Sequence, residues 1–104
     1  MNQKPIRVVI VDDHRMVRET WKMILDNHDQ INVIAECSSG EEAIEVAASL
    51  IPDVMLMDIN MAPVNGLEAT KEIVKTNPEM KIIGVSVNDQ PMYAKNMLLS
   101  GAEG

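Results

Sequence analysis

Short apolar runs alternate with amphipathic stretches along the chain. Ile6 to Val11 (IRVVIV) is rich in β-branched residues, follows Pro5 and stops at Asp12 and Asp13. That is the pattern of a strand buried on both faces of a parallel sheet, not of an alternating, half-solvated one. From Arg15 to about Asn27 the larger apolar residues fall at Val17, Trp21, Ile24 and Leu25, the i, i+4, i+7, i+8 stripe of a helix with one buried face. Asn32 to Cys37 (NVIAEC) reads as a second, less apolar strand. Ser38-Ser39-Gly40 reads as a turn and cap before a helix carrying Ala43, Ile44, Ala47 and Leu50, which Pro52 ends. Val54 to Met57 is a third strand running into Asp58, and Asn60 to Gly66 (NMAPVNG) a turn-rich loop. A helix from about Leu67 to Lys75 follows, with Leu67, Thr70, Ile73 and Val74 on one side and Asn77-Pro78 as its stop. Lys81 to Val87 (KIIGVSV) is a fourth strand and Pro91 to Ser100 a fourth helix, ended by Gly101.

Four successive strand and helix pairs predict an α/β fold, a doubly wound parallel sheet with right-handed crossovers and helices on both faces. A chain of 104 residues makes one domain, 1–104, with no room for a second. Its balance of 9 basic and 16 acidic residues, net charge −7, repels nucleic acid phosphates and anionic membranes. Trp21 and Tyr93 are its aromatic residues, too few for a stacking platform on single strands. No nucleic acid and no membrane are therefore expected as partners of this segment. Cys37 stands alone, which excludes an internal disulfide and makes a reducing compartment the default. The start lacks a signal peptide's apolar stretch, and no run approaches the roughly 18 to 20 residues that span a bilayer. A cytoplasmic location is the expectation.

In an open parallel sheet, ligands bind beyond the carboxyl ends of the strands, near the point where strand order reverses. The first strand ends in Asp12-Asp13, the third in Asp58 and the fourth around Ser86. Three carboxylates and a hydroxyl then converge on one edge. Clustered carboxylates must raise a pKa, take up protons or bind a cation, and a hard divalent ion is the simplest solution. Mg²⁺ prefers oxygen ligands at roughly 2.0 to 2.1 Å alongside one or two carboxylates and a phosphate. No plausible set of His and Cys ligands exists for zinc. Taken singly, Asp12-Asp13 also reads as a helix cap, Asp58 as a turn residue, and Ser86 as a strand-end serine satisfied by backbone. His14 reads as a partly exposed residue in the first helical turn. Cys37 and the nine methionines read as core filling.

Taken together, VVIVDDHRMVRETW, Asp58 within PDVMLMDINM, Gly66-Leu67-Glu68-Ala69-Thr70 and the closing KIIGVSV and LLSGAEG resemble a bacterial two-component response-regulator receiver domain of the CheY-like fold, in its NarL/LuxR-like subgroup. The resemblance covers essentially the whole chain. It implies a flavodoxin-like sheet of order 2-1-3-4. It also implies Asp58 as phosphoacceptor for a sensor histidine kinase, and Mg²⁺ held by Asp13, Asp58 and the Asn60 carbonyl, with Asp12 acting through water. Ser86 matches the switch hydroxyl that moves onto the phosphoryl oxygens. It further implies an output through a separate C-terminal DNA-binding domain of a transcription regulator.

Three departures qualify the match. Ala62 and Pro63 shift the proline of the loop by one place while Gly66 keeps its distance from Asp58. Val87 stands where many receivers have a smaller residue, so slow hydrolysis and weak labelling by acetyl phosphate are expected. The chain also ends before the family's fifth strand, its lysine and its fifth helix. That leaves Lys81 to Val87 as an uncovered edge, and self-association or homodimerisation through that edge is the expectation. The competing readings are a receiver-fold binding module that is not phosphorylated, an FMN-binding flavodoxin-like protein, and a metal-dependent phosphatase. The adjacent acidic pair disfavours the last two: DDH repels a phosphate in the absence of a metal, and the phosphatase motif has alternating aspartates.

Overall fold

The computed structural model describes residues 4–58 and 66–85. Within them the chain runs β1 (Ile6–Val11), α1 (Arg15–Asp26), β2 (Ile31–Cys37), α2 (Gly40–Leu50), β3 (Val54–Asp58), α3 (Gly66–Thr76) and β4 (Lys81–Val85). The four strands are parallel in the order β2-β1-β3-β4, as expected. Ser86, Val87 and the helix expected over Pro91 to Ser100 lie outside the described residues, as do Asn60, Ala62 and Pro63.

Side-chain alternation sorts the sheet into two faces. Val9, Val11, Cys37, Met55, Met57 and Ile82 join Ala43 and Ala47 of α2 and Ala69 and Ile73 of α3 in one core. Val8 and Ile10 are buried as well but point to the opposite side, where α1 packs on β1 and β2. A residue's face is set by register, and the register of β2 is broken once. Val8 pairs with Val33 but Val9 pairs with Ala35, so Ile34 is an extra residue in the strand. Ile34 and Ala35 both pack against the core. The bulge thereby sends Cys37 into the core and Glu36 to the α1 side; a regular strand would exchange them. Burial pushes the Cys37 thiol up to about 12, assisted by the negative charge of Glu42. It stays a neutral core residue.

Two expectations need correction. The apolar stripe of α1 predicts a buried face, yet none of its residues is buried: Val17, Trp21 and Leu25 are half-buried and Ile24 is exposed. Its packing partners among the described residues are chiefly β1 and β2, which cover one flank of the stripe. Methionine as core filler holds for Met55, Met57 and Met80, whereas Met16 and Met23 are exposed.

Helix ends follow local chemistry. The Ser39 side chain caps α2 by accepting the Glu42 amide at 3.1 Å, and the Glu42 carboxylate accepts the Ser38 amide at 3.3 Å, a variant of the capping box. At the other end Ile51 adopts the left-handed region, φ 46°, a conformation that costs a β-branched residue roughly 1–2 kcal/mol. Arg7 of β1 supports it, donating to the carbonyls of Leu50 at 2.8 Å and Ile51 at 2.9 Å, and so satisfies the orphan acceptors of the helix end. Because Ile51 is 58% exposed, little packing offsets the strain. Ile51→Gly is expected to raise stability by about 1 kcal/mol, read as a thermal midpoint roughly 4–8 °C higher.

A second local conflict lies in α3. Thr70 is fully buried and its Oγ1 has no hydrogen-bond partner among the described residues. A buried hydroxyl without a partner carries a desolvation cost of about 1–3 kcal/mol. Thr70→Val keeps the shape and removes that atom. Urea unfolding should show a gain of about 1 kcal/mol; a loss would mean that the hydroxyl is satisfied in solution.

Candidate functional site

Strand register explains why residues 46 positions apart in sequence meet. β1 and β3 are parallel, with Val11 opposite Met57, so the next residues, Asp12 and Asp58, leave the sheet side by side. Both are nearly buried, 7% and 8% exposed, while Asp13 is exposed. One ligand atom from each of Asp12, Asp13, His14 and Asp58 lies within 4.8 Å of the others. The sheet thus gathers the three carboxylates that the sequence places at strand ends. The fourth strand brings Val85 opposite Asp58, and Ser86 is the next residue along the chain.

The turn between β1 and α1 is tied from several directions. The Asp12 amide donates to the Cys37 carbonyl at 3.0 Å, extending the β1–β2 ladder by one bond. Asp12 Oδ1 accepts the His14 amide at 2.8 Å. The cap position of α1 is His14, in extended conformation and without a side-chain capping bond. The acidic pair therefore shapes the turn ahead of the helix instead of capping it.

His14, expected in the first helical turn, is instead the extended residue just ahead of α1 and belongs to the cluster. Its Nδ1 lies 3.0 Å from Asp12 Oδ1 and 2.9 Å from Asp13 Oδ1. The hydrogen bond to Asp12 and the charges of Asp13 and Asp12 hold the imidazole above its ordinary 6.5. Adjacency to the acidic pair was the signal for this contact. Arg18 was also missed: Nη1 donates to the Asp12 carbonyl at 2.7 Å, and Nε lies 3.7 Å from Glu36 Oε1. No motif pointed to it, since the pairing depends on the bulge in β2.

What this arrangement can do follows from its donors. Carboxylate oxygens from two strand ends suit a hard cation, and Mg²⁺ fits them better than a soft metal. Asp12, Asp13 and Asp58 could hold such an ion. Among the described residues, no helix is long and apolar enough to cross a membrane.

The family model of the response regulator receiver domain matches residues 8–104. The chain is 40% identical over 104 residues to the transcriptional regulatory protein DegU of Brevibacillus brevis, covering all of this chain and 44% of that protein. It is 36% identical over 103 residues to the nitrate/nitrite response regulator protein NarL of Escherichia coli strain K12, covering 99% of this chain and 48% of that one. Among solved structures, the response regulator domain of Thermotoga maritima CheB superposes with a TM-score of 0.88 at 37% identity, covering 95% of this chain and 75% of that one. The chain thus spans less than half the length of these curated relatives. With the sheet order, the acidic notch at the ends of β1 and β3 and a match over nearly the whole chain in agreement, this protein belongs to the family of response regulator receiver domains.

Proposed function

We propose that this receiver domain is a phosphoacceptor switch in which Asp58 is the nucleophile. The observation that carries the reading is the convergence of Asp12, Asp13 and Asp58 within 4.8 Å. A carboxylate oxygen of Asp58 attacks phosphorus in a phosphohistidine of a sensor kinase; the P–N bond breaks, the imidazole leaves and takes a proton from solvent, and an acyl phosphate remains on Asp58. Asp12, Asp13 and Asp58, with the Asn60 carbonyl, are the proposed Mg²⁺ holders. When bound, the ion supplies charge neutralisation for the transferring oxygens. The β1–α1 turn orients Asp12 and Asp13, and their near-neighbour His14 offsets part of the negative charge when protonated.

Ser86 as the switch hydroxyl and Val87 as the residue that restricts water complete the proposal. Val85 is the register partner of Asp58, which supports a place for both beside the acyl phosphate. Self-phosphorylation from small donors and slow self-dephosphorylation are its enzymatic content. The relatives DegU, a transcriptional regulatory protein, and NarL, a response regulator, are both more than twice as long as the matched segment, which supports an output in transcription regulation through a further region; DNA binding by that region and a cytoplasmic location complete the proposal. Self-association through the sheet margin is supported by β4, the terminal strand of the described sheet, and by Ile83, which is 39% exposed on it. A single monomeric species across a wide concentration range in sedimentation analysis would remove that part.

The test is intact-mass analysis after incubation with acetyl phosphate or phosphoramidate and Mg²⁺, comparing the chain with Asp58→Asn. An adduct of one phosphoryl group on the parent supports the phosphoacceptor reading. Because Val87 is expected to slow labelling by small donors, a phosphorylated sensor histidine kinase is added as a third donor, and absence of an adduct with all three favours a binding module that is not phosphorylated.

A further inference from the structure

Arg18 occupies a position that the phosphoryl-transfer reading leaves unused. Its side chain is only 17% exposed, well buried for a guanidinium on a helix whose other residues are all exposed or half-buried. Nη1 reaches back over one and a half turns to the carbonyl of Asp12 at 2.7 Å, short for an N–H···O bond and in the range of charge-assisted ones. On its other side Nε faces Glu36 at 3.7 Å. Glu36 is available there because the bulge at Ile34 turns it to the α1 side. The guanidinium therefore joins α1, the end of β1 and the end of β2 at the peptide that links Asp12 to Asp13.

That peptide sets where two of the three carboxylates point. A carbonyl that accepts a hydrogen bond from a planar guanidinium, itself held from its other side, loses the rotational freedom that it has when it faces water. Freezing it orients the Asp12 and Asp13 side chains towards Asp58 before any ion arrives. Resting on the Mg²⁺ reading given above, we propose that Arg18 is a positioning residue of the acidic notch, and that Glu36 holds Arg18 in place, so that capture of the cation depends on a pair that does not touch it.

Charge and geometry make opposite demands here, which gives the proposal a clear sign. Arg18→Met removes a positive charge close to an anionic notch, and by Coulomb attraction alone the variant should bind Mg²⁺ more tightly. If positioning dominates, the variant binds more weakly, by about tenfold, as is typical when a partner outside the ligand set is lost. Calorimetric Mg²⁺ titration of the full chain, Arg18→Met, Arg18→Lys and Glu36→Gln separates the two. Weakening in Arg18→Met and Glu36→Gln, with partial recovery in Arg18→Lys, is the expected result. An unchanged or tighter constant in Arg18→Met overturns the proposal.

Loss of fold is controlled by Val74→Ala, on α3 and packed against the core. It should lower the thermal midpoint in EDTA without altering Mg²⁺ affinity. A second readout needs no metal. The His14 ring lies within 3.0 Å of both aspartates, so its NMR signals, in EDTA and at a pH where the ring is neutral in every variant, report how the pair is placed. They should move in Arg18→Met and stay in Val74→Ala. If they stay in both, Arg18 does not position the pair. A parent chain that binds no Mg²⁺ but shows the His14 shift in Arg18→Met would remove the metal reading alone and leave the positioning role standing.

Discussion

Asp58→Asn is expected to reduce phosphoryl incorporation to background while leaving the fold intact. The substitution is isosteric, but an amide oxygen is a poor nucleophile and cannot form a stable acyl phosphate, so no partial activity should survive. Removing one of three clustered carboxylates also relieves like-charge repulsion. The thermal midpoint in EDTA should therefore equal or exceed that of the parent, and Mg²⁺ should bind more weakly because one oxygen anion is lost. This combination is diagnostic: no adduct, no loss of stability and reduced metal affinity. An adduct of the same stoichiometry on Asp58→Asn would place the acceptor elsewhere. Asp13 or His14 would then be the first positions to map, since both present atoms to the same notch.

Ile82→Ala should be the most damaging of the core substitutions for stability. Ile82 is the fully buried second residue of β4, pairs with Met55 and belongs to the cluster that α2 and α3 share with the sheet. Truncation of a buried Ile removes its transfer free energy and leaves a cavity, together costing about 2–5 kcal/mol. A domain of this size has roughly 5–15 kcal/mol in total. The thermal midpoint should fall by more than about 10 °C, and urea denaturation should show the same loss with an unchanged slope. Because β4 carries Val85 opposite Asp58, loosening the strand should also weaken Mg²⁺ capture. A midpoint within about 2 °C of the parent, well inside the shift that such a loss predicts, would mean that β4 adds little to the folded core.

Much of the architecture was legible because buried parallel strands leave an unmistakable trace. Val8–Val11 and Val54–Met57 are apolar runs that lead straight into aspartate, and the observed bounds of β1 and β3 match the expectation closely. Helix boundaries were readable where a cap or a proline marks them, as at Ser39 and Pro52. The burial of α1 was not. Its stripe of Val17, Trp21, Ile24 and Leu25 reports amphipathicity, whereas burial depends on what lies across from the stripe, and β1 and β2 supply only one flank.

The site divides in the same way. Asp12, Asp13 and Asp58 could be singled out from sequence because strand ends in a parallel sheet face one edge, and carboxylates at two such ends together are less readily explained as caps or turn residues than either is alone. The contacts that hold them could not. His14 was read as a bystander, although its imidazole spans both aspartates. Arg18 and Glu36 carry no motif. Their pairing needs Glu36 on the α1 side of the sheet, and only an extra residue in β2 puts it there.

Sequence alone therefore determined the alternation of strands and helices, the acidic character of the strand ends and the family. These depend on local composition and on the periodicity of burial, which the order of residues encodes directly. Tertiary structure decided the register. It set Asp12 beside Asp58, turned Glu36 towards Arg18 and Cys37 into the core, left Thr70 without a partner among the described residues and forced Ile51 into the left-handed region. Register is a relation between strands far apart in the chain, and a one-residue slip exchanges the faces of every side chain beyond it. No local pattern in this sequence encodes that choice.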